Sequence, residues 1–297
     1  LDVADGPKLM LPLWAELSKS GNRQRRKEMS EKAQGYRFSI EDDINGFYRS
    51  HGYVVLKDLF EPEEIEGIYD DILKLIGIRF GPGRAISNFL SSYSQDNLIW
   101  KACAKQFQNS LPNLHAGTKP AITELLRTLG MAEPIACVLP EIRIDMPGDS
   151  QYRQLWHQDW RSGQGSLNAV TIWVPLHDVT ADHGAIELIP GSHLQGYRPV
   201  EVIENPTRYL LKELPEQSTS KITASLSRGE CILFSQFLLH QSGENISGSP
   251  RMTSQFRFAD RCDPAFIANN YRIPVSTELV WENPPTARDI AMVFGRD

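Results

Sequence analysis

The spacing of apolar residues changes near residue 134, and that change divides the chain. Upstream, Ile65, Ile68, Ile72 and Leu75 recur three and four residues apart behind Pro62. That spacing gives a helix one buried face, and proline is suited to its first turn. Ile122, Leu125, Leu126 and Leu129 repeat the pattern between Pro120 and Gly130. An earlier helix is expected to start at Ser39, with Glu41, Asp42 and Asp43 in its first turn and Gly52 as its stop. A short strand, Tyr53 to Leu56, follows it. Downstream of residue 134 the apolar runs are short, β-prone and bounded by turn residues. They are Ile135 to Val138, Ile142 to Ile144, Val170 to Leu176, Ala185 to Ile189, Lys221 to Leu226, Cys231 to Phe234 and Met252 to Phe258.

Many short strands at modest spacing predict a sandwich or barrel. The expected fold is mainly β with flanking helices, built on a double-stranded β-helix (a cupin-like jelly roll) whose mouth can hold a metal. Residues 39–297 read as a single domain, because no long linker divides them. It would have a helical first part (39–133), a jelly-roll core (134–262) and a tail (263–297). Residues 1–38 form an appendage, with an amphipathic stretch from Leu11 to Leu17 and a basic run of Arg23, Arg25, Arg26 and Lys27. A solvated helix or linker is the reading taken for them. The segment Asn283-Pro284-Pro285 is expected to pack irregularly or as a lid.

Composition narrows the function classes. Of 297 residues, 41% are apolar and 23% charged, the profile of a globular protein, and the net charge of -6 argues against nucleic acid or anionic membranes as partners. A small-molecule substrate suits that charge better. No apolar run approaches the roughly 18 residues of a membrane span, and no signal-peptide pattern opens the sequence, so the expected location is the cytoplasm. Cys103, Cys137, Cys231 and Cys262 are scattered, with no C-x-x-C pair, and read as reduced, mostly buried thiols. No signal specifies an oligomeric state.

The chemistry concentrates in two places. The segment Leu155-Trp156-His157-Gln158-Asp159-Trp160 carries the His-x-Asp, and in extended chain residues two apart point to one side. His240 ends the strand-like run Cys231 to His240. Two imidazoles and one carboxylate on one face leave open positions on Fe(II) for an oxoacid and dioxygen. Arg251 lies beyond a turn-rich loop (Gly243, Asn245, Gly248, Pro250) that is expected to fold it back antiparallel beside the His240 strand. A guanidinium there suits the distal carboxylate of 2-oxoglutarate, with the Ser242 hydroxyl beside it.

These blocks resemble the phytanoyl-CoA dioxygenase family of Fe(II)/2-oxoglutarate oxygenases over roughly residues 39 to 260. The resemblance rests on "INGFYRSHGYVVLKDLF" from Ile44, on "WHQD", on "HGAIELIPGSH" from His183 and on "HQSGENISGSPR" from His240 to Arg251. It implies iron at His157, Asp159 and His240, 2-oxoglutarate at Arg251 and Ser242, and an aromatic residue near the co-substrate at Trp173, with Thr171 on the same side of that strand. It also implies a hydroxylase with dioxygen as co-substrate, since halogenating relatives replace the carboxylate that Asp159 supplies.

Arg143 and Asp145, on the strand before the metal motif, are candidates for the substrate wall, with a mutual ion pair as the plain alternative. Gln154 and Trp160 are further candidates for the substrate pocket, Trp160 either lining the mouth or packing. Arg257 is a rival to Arg251, set aside for its extra distance from His240. His51, His115, His177 and His193 read as structural, and His183 as a surface turn. The competing function is a non-catalytic metal-binding jelly roll, a sensor or structural partner.

Overall fold

Among the described residues, the β-prone half folds into two antiparallel sheets whose facing sides share a core, with a separate two-stranded pair beside them. The structure is a computed structural model describing residues 36–81, 98–137, 140–148, 153–160, 165–202, 209–213, 215, 219–268 and 285–295. The readings made for residues 1–35, Val138, Asn283 and Pro284 lie outside the described residues.

The helical part contains α1 (Asn45–His51), β1 (Tyr53–Leu56), α2 (Pro62–Phe80), α3 (Leu98–Gln108), α4 (Leu111–Ala116) and α5 (Pro120–Thr128). Then come β2 (Pro134–Ala136), β3 (Glu141–Asp145), β4 (Val170–Pro175), β5 (Ile186–Leu188), a 3-10 turn at Ser192–Gln195, and a hairpin of β6 (Val200–Val202) and β7 (Tyr209–Leu211). The chain continues through β8 (Ile222–Ala224), β9 (Cys231–Ser235), β10 (His240–Ser242), β11 (Arg251–Asp260), α6 (Pro264–Ala268) and α7 (Ala287–Phe294).

The large sheet runs β1-β9-β4-β11, with β2 and β3 sharing the far edge of β11, and the small sheet runs β10-β5-β8. The architecture is a jelly roll, as the strand spacing predicts.

Alternation along the strands gives the large sheet two different faces. Val54, Leu56, Leu233, Ile172, Val174, Met252 and Phe256 pack with the predicted apolar faces of α2 (Ile65, Ile68, Ile72) and α5 (Ile122, Leu125, Leu126). On the other face Tyr53, Val55, Ile232, Phe234 and Trp173 pack with Ile186, Leu188, Ile222 and Ala224 of the small sheet. This inner face turns polar toward β11 and β3. There Trp173 pairs across from Gln255 and Thr171 from Arg257. Arg251 pairs with Asp145, Thr253 with Arg143, and Gln255 with Glu141. Charged side chains are thereby lined up inside the sandwich, at one end only.

Two local expectations change. The first helix starts at Asn45 rather than at Ser39. Ser39 gives its hydroxyl proton to Asp58, while the Asp42 and Asp43 carboxylates accept the backbone N–H groups of Ser39 and Asn45. The acidic run is therefore used in turns. Gly52 does end the helix, at φ 79°. Second, the run from Cys231 to His240 is not one strand: β9 stops at Ser235, and a tight turn carries the chain to the small sheet. Phe237, Leu238 and Leu239 enter three separate apolar clusters, which breaks the alternation a single strand would need. The tail also contains α7, opened by a reciprocal cap between Thr286 and Asp289.

Candidate metal centre

His157 and His240 face each other across an isolated antiparallel bridge, with each backbone N–H bonded to the other's carbonyl at 2.9 and 3.1 Å. The bridge extends to Ser242, whose N–H bonds to the Gln154 carbonyl at 2.8 Å. His240 belongs to β10 and His157 to the irregular segment laid against it. The pairing brings the imidazole centroids to 4.1 Å. Asp159 completes the group, with Oδ1 3.5 Å from His157 Nε2 and 3.6 Å from His240 Nε2. All three residues are buried and offer ligand atoms within 4.8 Å of one another. The intervening Gln158 points away and binds the Gly196 and Phe237 carbonyls and the Arg198 N–H.

Hydrogen bonding sets the tautomers. His157 Nδ1 donates to the Leu155 carbonyl at 2.6 Å and His240 Nδ1 to the Leu238 carbonyl at 2.9 Å. A carbonyl can only accept, so in the neutral imidazole the proton sits on Nδ1 and each Nε2 presents its lone pair toward the Asp159 side of the site. Burial, reinforced by the neighbouring His240, moves the His157 pKa downward and favours that neutral form. For Asp159 burial alone would raise the pKa, but the Arg257 guanidinium and the two imidazoles reverse this and hold it well below the carboxylate range. The chemistry and orientation of these donors fit a divalent metal.

Asp159 Oδ2 turns away from the histidines. It accepts the Thr171 hydroxyl at 2.7 Å and Arg257 Nε at 3.2 Å. Thr171 is thus engaged with the carboxylate, on the same strand face as buried Trp173. Arg257 also donates to Glu141 Oε2 at 2.9 Å and to Gln255 Oε1 at 2.7 Å.

Arg251 reaches the site from the opposite sheet. The loop after Ser242 crosses between sheets, so Arg251 is not on a hairpin partner of the His240 strand. The edge of β10 is already paired with β5. Asn245 shapes this loop by donating to the carbonyls of Ser249 and Asp145, at 2.9 and 3.1 Å. Arg251 Nη2 donates to Ser242 Oγ at 3.0 Å and lies 2.8 Å from Asp145 Oδ2. Asp145 also pairs with Arg143, at 2.8 Å. Arg251 Nε and Thr253 Oγ1, on the same face of β11, are buried with no hydrogen-bond partner. Orphaned donors of this kind beside a guanidinium fit the carboxylate of an oxoacid.

The sequence candidates divide accordingly. His157, Asp159 and His240 converge; Arg251, Ser242, Arg143 and Asp145 form a second, adjoining polar cluster. Gln154 contributes its backbone carbonyl to the bridge. Trp160 is 2% exposed and stacks on Phe237 at 4.6 Å within the helix-facing core, so its indole packs. His193, fully buried, donates from Nε2 to the Arg49 carbonyl. His183 sits in the Thr180–Gly184 turn. Sequence reasoning missed the Arg257–Glu141–Gln255 group behind Asp159. Its signal was the alternation of Arg251, Thr253, Gln255 and Arg257, which puts both arginines on one face.

The family model described as phytanoyl-CoA dioxygenase matches residues 48–253. A protein of Oryza sativa subsp. japonica named phytanoyl-CoA dioxygenase 1 is 19% identical over 239 residues, covering 70% of this chain and 85% of the relative. The peroxisomal phytanoyl-CoA dioxygenase of Homo sapiens is 20% identical over 247 residues, covering 76% and 72%. Among solved structures, the epimerase SnoN in complex with Fe3+, alpha ketoglutarate and nogalamycin RO aligns at a TM-score of 0.54 and 18% identity, covering 87% of this chain and 96% of that one. At that identity the likeness concerns the fold.

Proposed function

The chain belongs to the phytanoyl-CoA dioxygenase family, and we propose that it is an Fe(II)- and 2-oxoglutarate-dependent dioxygenase that hydroxylates a small-molecule substrate. One observation carries this reading: two imidazole Nε2 atoms and one carboxylate oxygen converge inside the sandwich, their outward atoms tied to the protein. Three ligands on one side of a metal leave the other side for co-substrates.

His157, Asp159 and His240 would hold Fe(II), and Arg251 with Ser242 would hold the distal carboxylate of 2-oxoglutarate. When bound, iron and oxoacid supply the oxidising chemistry, in which dioxygen is consumed and 2-oxoglutarate leaves as succinate and carbon dioxide. The protein contributes orientation and dryness. The carbonyls of Leu155 and Leu238 lock the imidazole rings, and Phe234, 4.6 Å from the His240 ring, and Trp173 form apolar wall on the same inner face. Asp159 fills the position that halogenating relatives leave small, which favours hydroxyl transfer. Arg143 and Asp145 form the mutual ion pair given above as the plain alternative, and Asp145 also braces Arg251.

The testing experiment measures succinate from 2-oxoglutarate in the presence of Fe(II), ascorbate and dioxygen. Wild type is expected to form succinate, slowly without substrate, and Asp159→Ala to form none. A folded, metal-loaded wild type that forms no succinate with any of a broad substrate panel would instead support a non-catalytic metal-binding jelly roll.

A further inference from the structure

A carboxylate that ligates a metal can offer one oxygen or two, and the second would occupy a position that co-substrates need. In this chain Asp159 is held from behind. Thr171 and Arg257 take Oδ2 at 2.7 and 3.2 Å, while Oδ1 faces both histidines. Arg257 is 9% exposed, and each of its three nitrogens is engaged: Nε by Asp159, Nη1 by Glu141 and Nη2 by Gln255. Arg251, by contrast, keeps an orphaned Nε. Two arginines on one strand face thus divide the work, and only Arg251 retains a free edge for a ligand.

We propose that Arg257 is a positioning residue for the metal: by fixing Oδ2 it presents Asp159 through Oδ1 alone, with Glu141 and Gln255 holding its guanidinium in register. This rests on the metal site proposed above. The geometry depends on a planar fork that reaches three acceptors in fixed directions, which an ammonium cannot reproduce. A residue that merely neutralised Asp159 would be replaceable by lysine. A positioning residue would not.

The test is Co(II) binding to the full chain without oxoacid, read as affinity and as the Co(II) absorption spectrum, which reports coordination geometry. Thermal denaturation serves as the control for folding. Wild type and Arg257→Lys are compared first. The lysine variant is expected to bind Co(II) about 10–100-fold more weakly, the range seen when outer partners of metal ligands are removed, and with an altered spectrum. Affinity within about twofold of wild type and an unchanged spectrum overturn the proposal. If Arg257→Lys does not fold, Glu141→Gln takes its place, since Glu141 is 39% exposed at its side chain and loosens only one arm of the fork. That variant is expected to bind several-fold more weakly, and unchanged binding again overturns the proposal. Wild type that binds no Co(II) overturns the metal site itself, and this inference with it.

Discussion

Replacing Asp145 with asparagine is expected to make stability depend more strongly on 2-oxoglutarate. Asp145 Oδ1 pairs with Arg143 and Oδ2 with Arg251, each at 2.8 Å, and the carboxylate is 11% exposed. The Arg251 contact is short but poorly directed, leaving Oδ2 without a hydrogen bond. Two guanidinium groups therefore share one carboxylate, and one positive charge is left for a ligand. Burial alone would raise the Asp145 pKa, but the two arginines bring it from 3.8 down to about 2. That depression corresponds to about 2–3 kcal/mol of charge stabilisation, close to the low end of the ~3–5 kcal/mol lost when one partner of a buried ion pair is removed. Asparagine keeps the shape and loses the charge, so Tm is expected to fall by about 4–12 °C. The assay is thermal denaturation of the Mn(II)-loaded protein with and without saturating 2-oxoglutarate. Any ligand stabilises by RT ln(1 + [L]/Kd), but in Asp145→Asn its distal carboxylate also replaces the missing charge and meets no competitor at Arg251. The oxoacid-induced shift is expected to be larger in the variant than in wild type. An equal or smaller shift refutes Arg251 as the oxoacid cation.

Two further outcomes follow from the packing. His193 is fully buried, its Nδ1 has no partner, and burial pushes its pKa from 6.5 to about 4. The folded state binds its proton less readily than the unfolded chain, so stability is complete above pH 6.5 and about 3 kcal/mol of it is lost as pH falls toward 4. His193→Gln should flatten that acid limb in denaturant titrations from pH 7 to 4, and an unchanged slope would count against the buried neutral imidazole. Gly184 has φ +74°, and a Cβ there would lie 2.7 Å from the Gly243 carbonyl, in the loop that joins His240 to Arg251. Gly184→Ala is expected to destabilise by about 2–4 kcal/mol from backbone strain and overlap and to weaken metal binding. Wild-type stability and affinity in that variant would refute the close approach of the two loops.

The helical half was legible because its signals are local. Ile65, Ile68 and Ile72 mark the face that packs, and Gly52 does occupy the left-handed stop. The strands were legible from alternation, and His157 and Asp159 from their spacing. What was not legible depends on which sheet a strand joins. The run ending at His240 keeps its apolar character through a corner, so composition hid the turn after Ser235. The same corner puts His240 in the small sheet, so Arg251, back in the large one, faces that strand instead of pairing with it. Arg257 was set aside by its distance along the chain, whereas strand alternation, which depends on parity, places it on the same face and behind Asp159. The cap of α7 was written in Thr286 and Asp289, beyond the Asn283-Pro284-Pro285 segment to which the irregular reading was confined.

The most direct test of the central claim is anaerobic calorimetric titration of 2-oxoglutarate into the Fe(II)-loaded protein, its metal-free form and the Fe(II)-loaded Arg251→Met variant. Saturable one-to-one binding to the loaded wild type is expected, with at least about a tenfold loss on removing either the metal or the Arg251 guanidinium, because chelation and the charged carboxylate contact each contribute more than about 1.4 kcal/mol. Equal affinity in all three samples, or no binding to the loaded wild type, would contradict it.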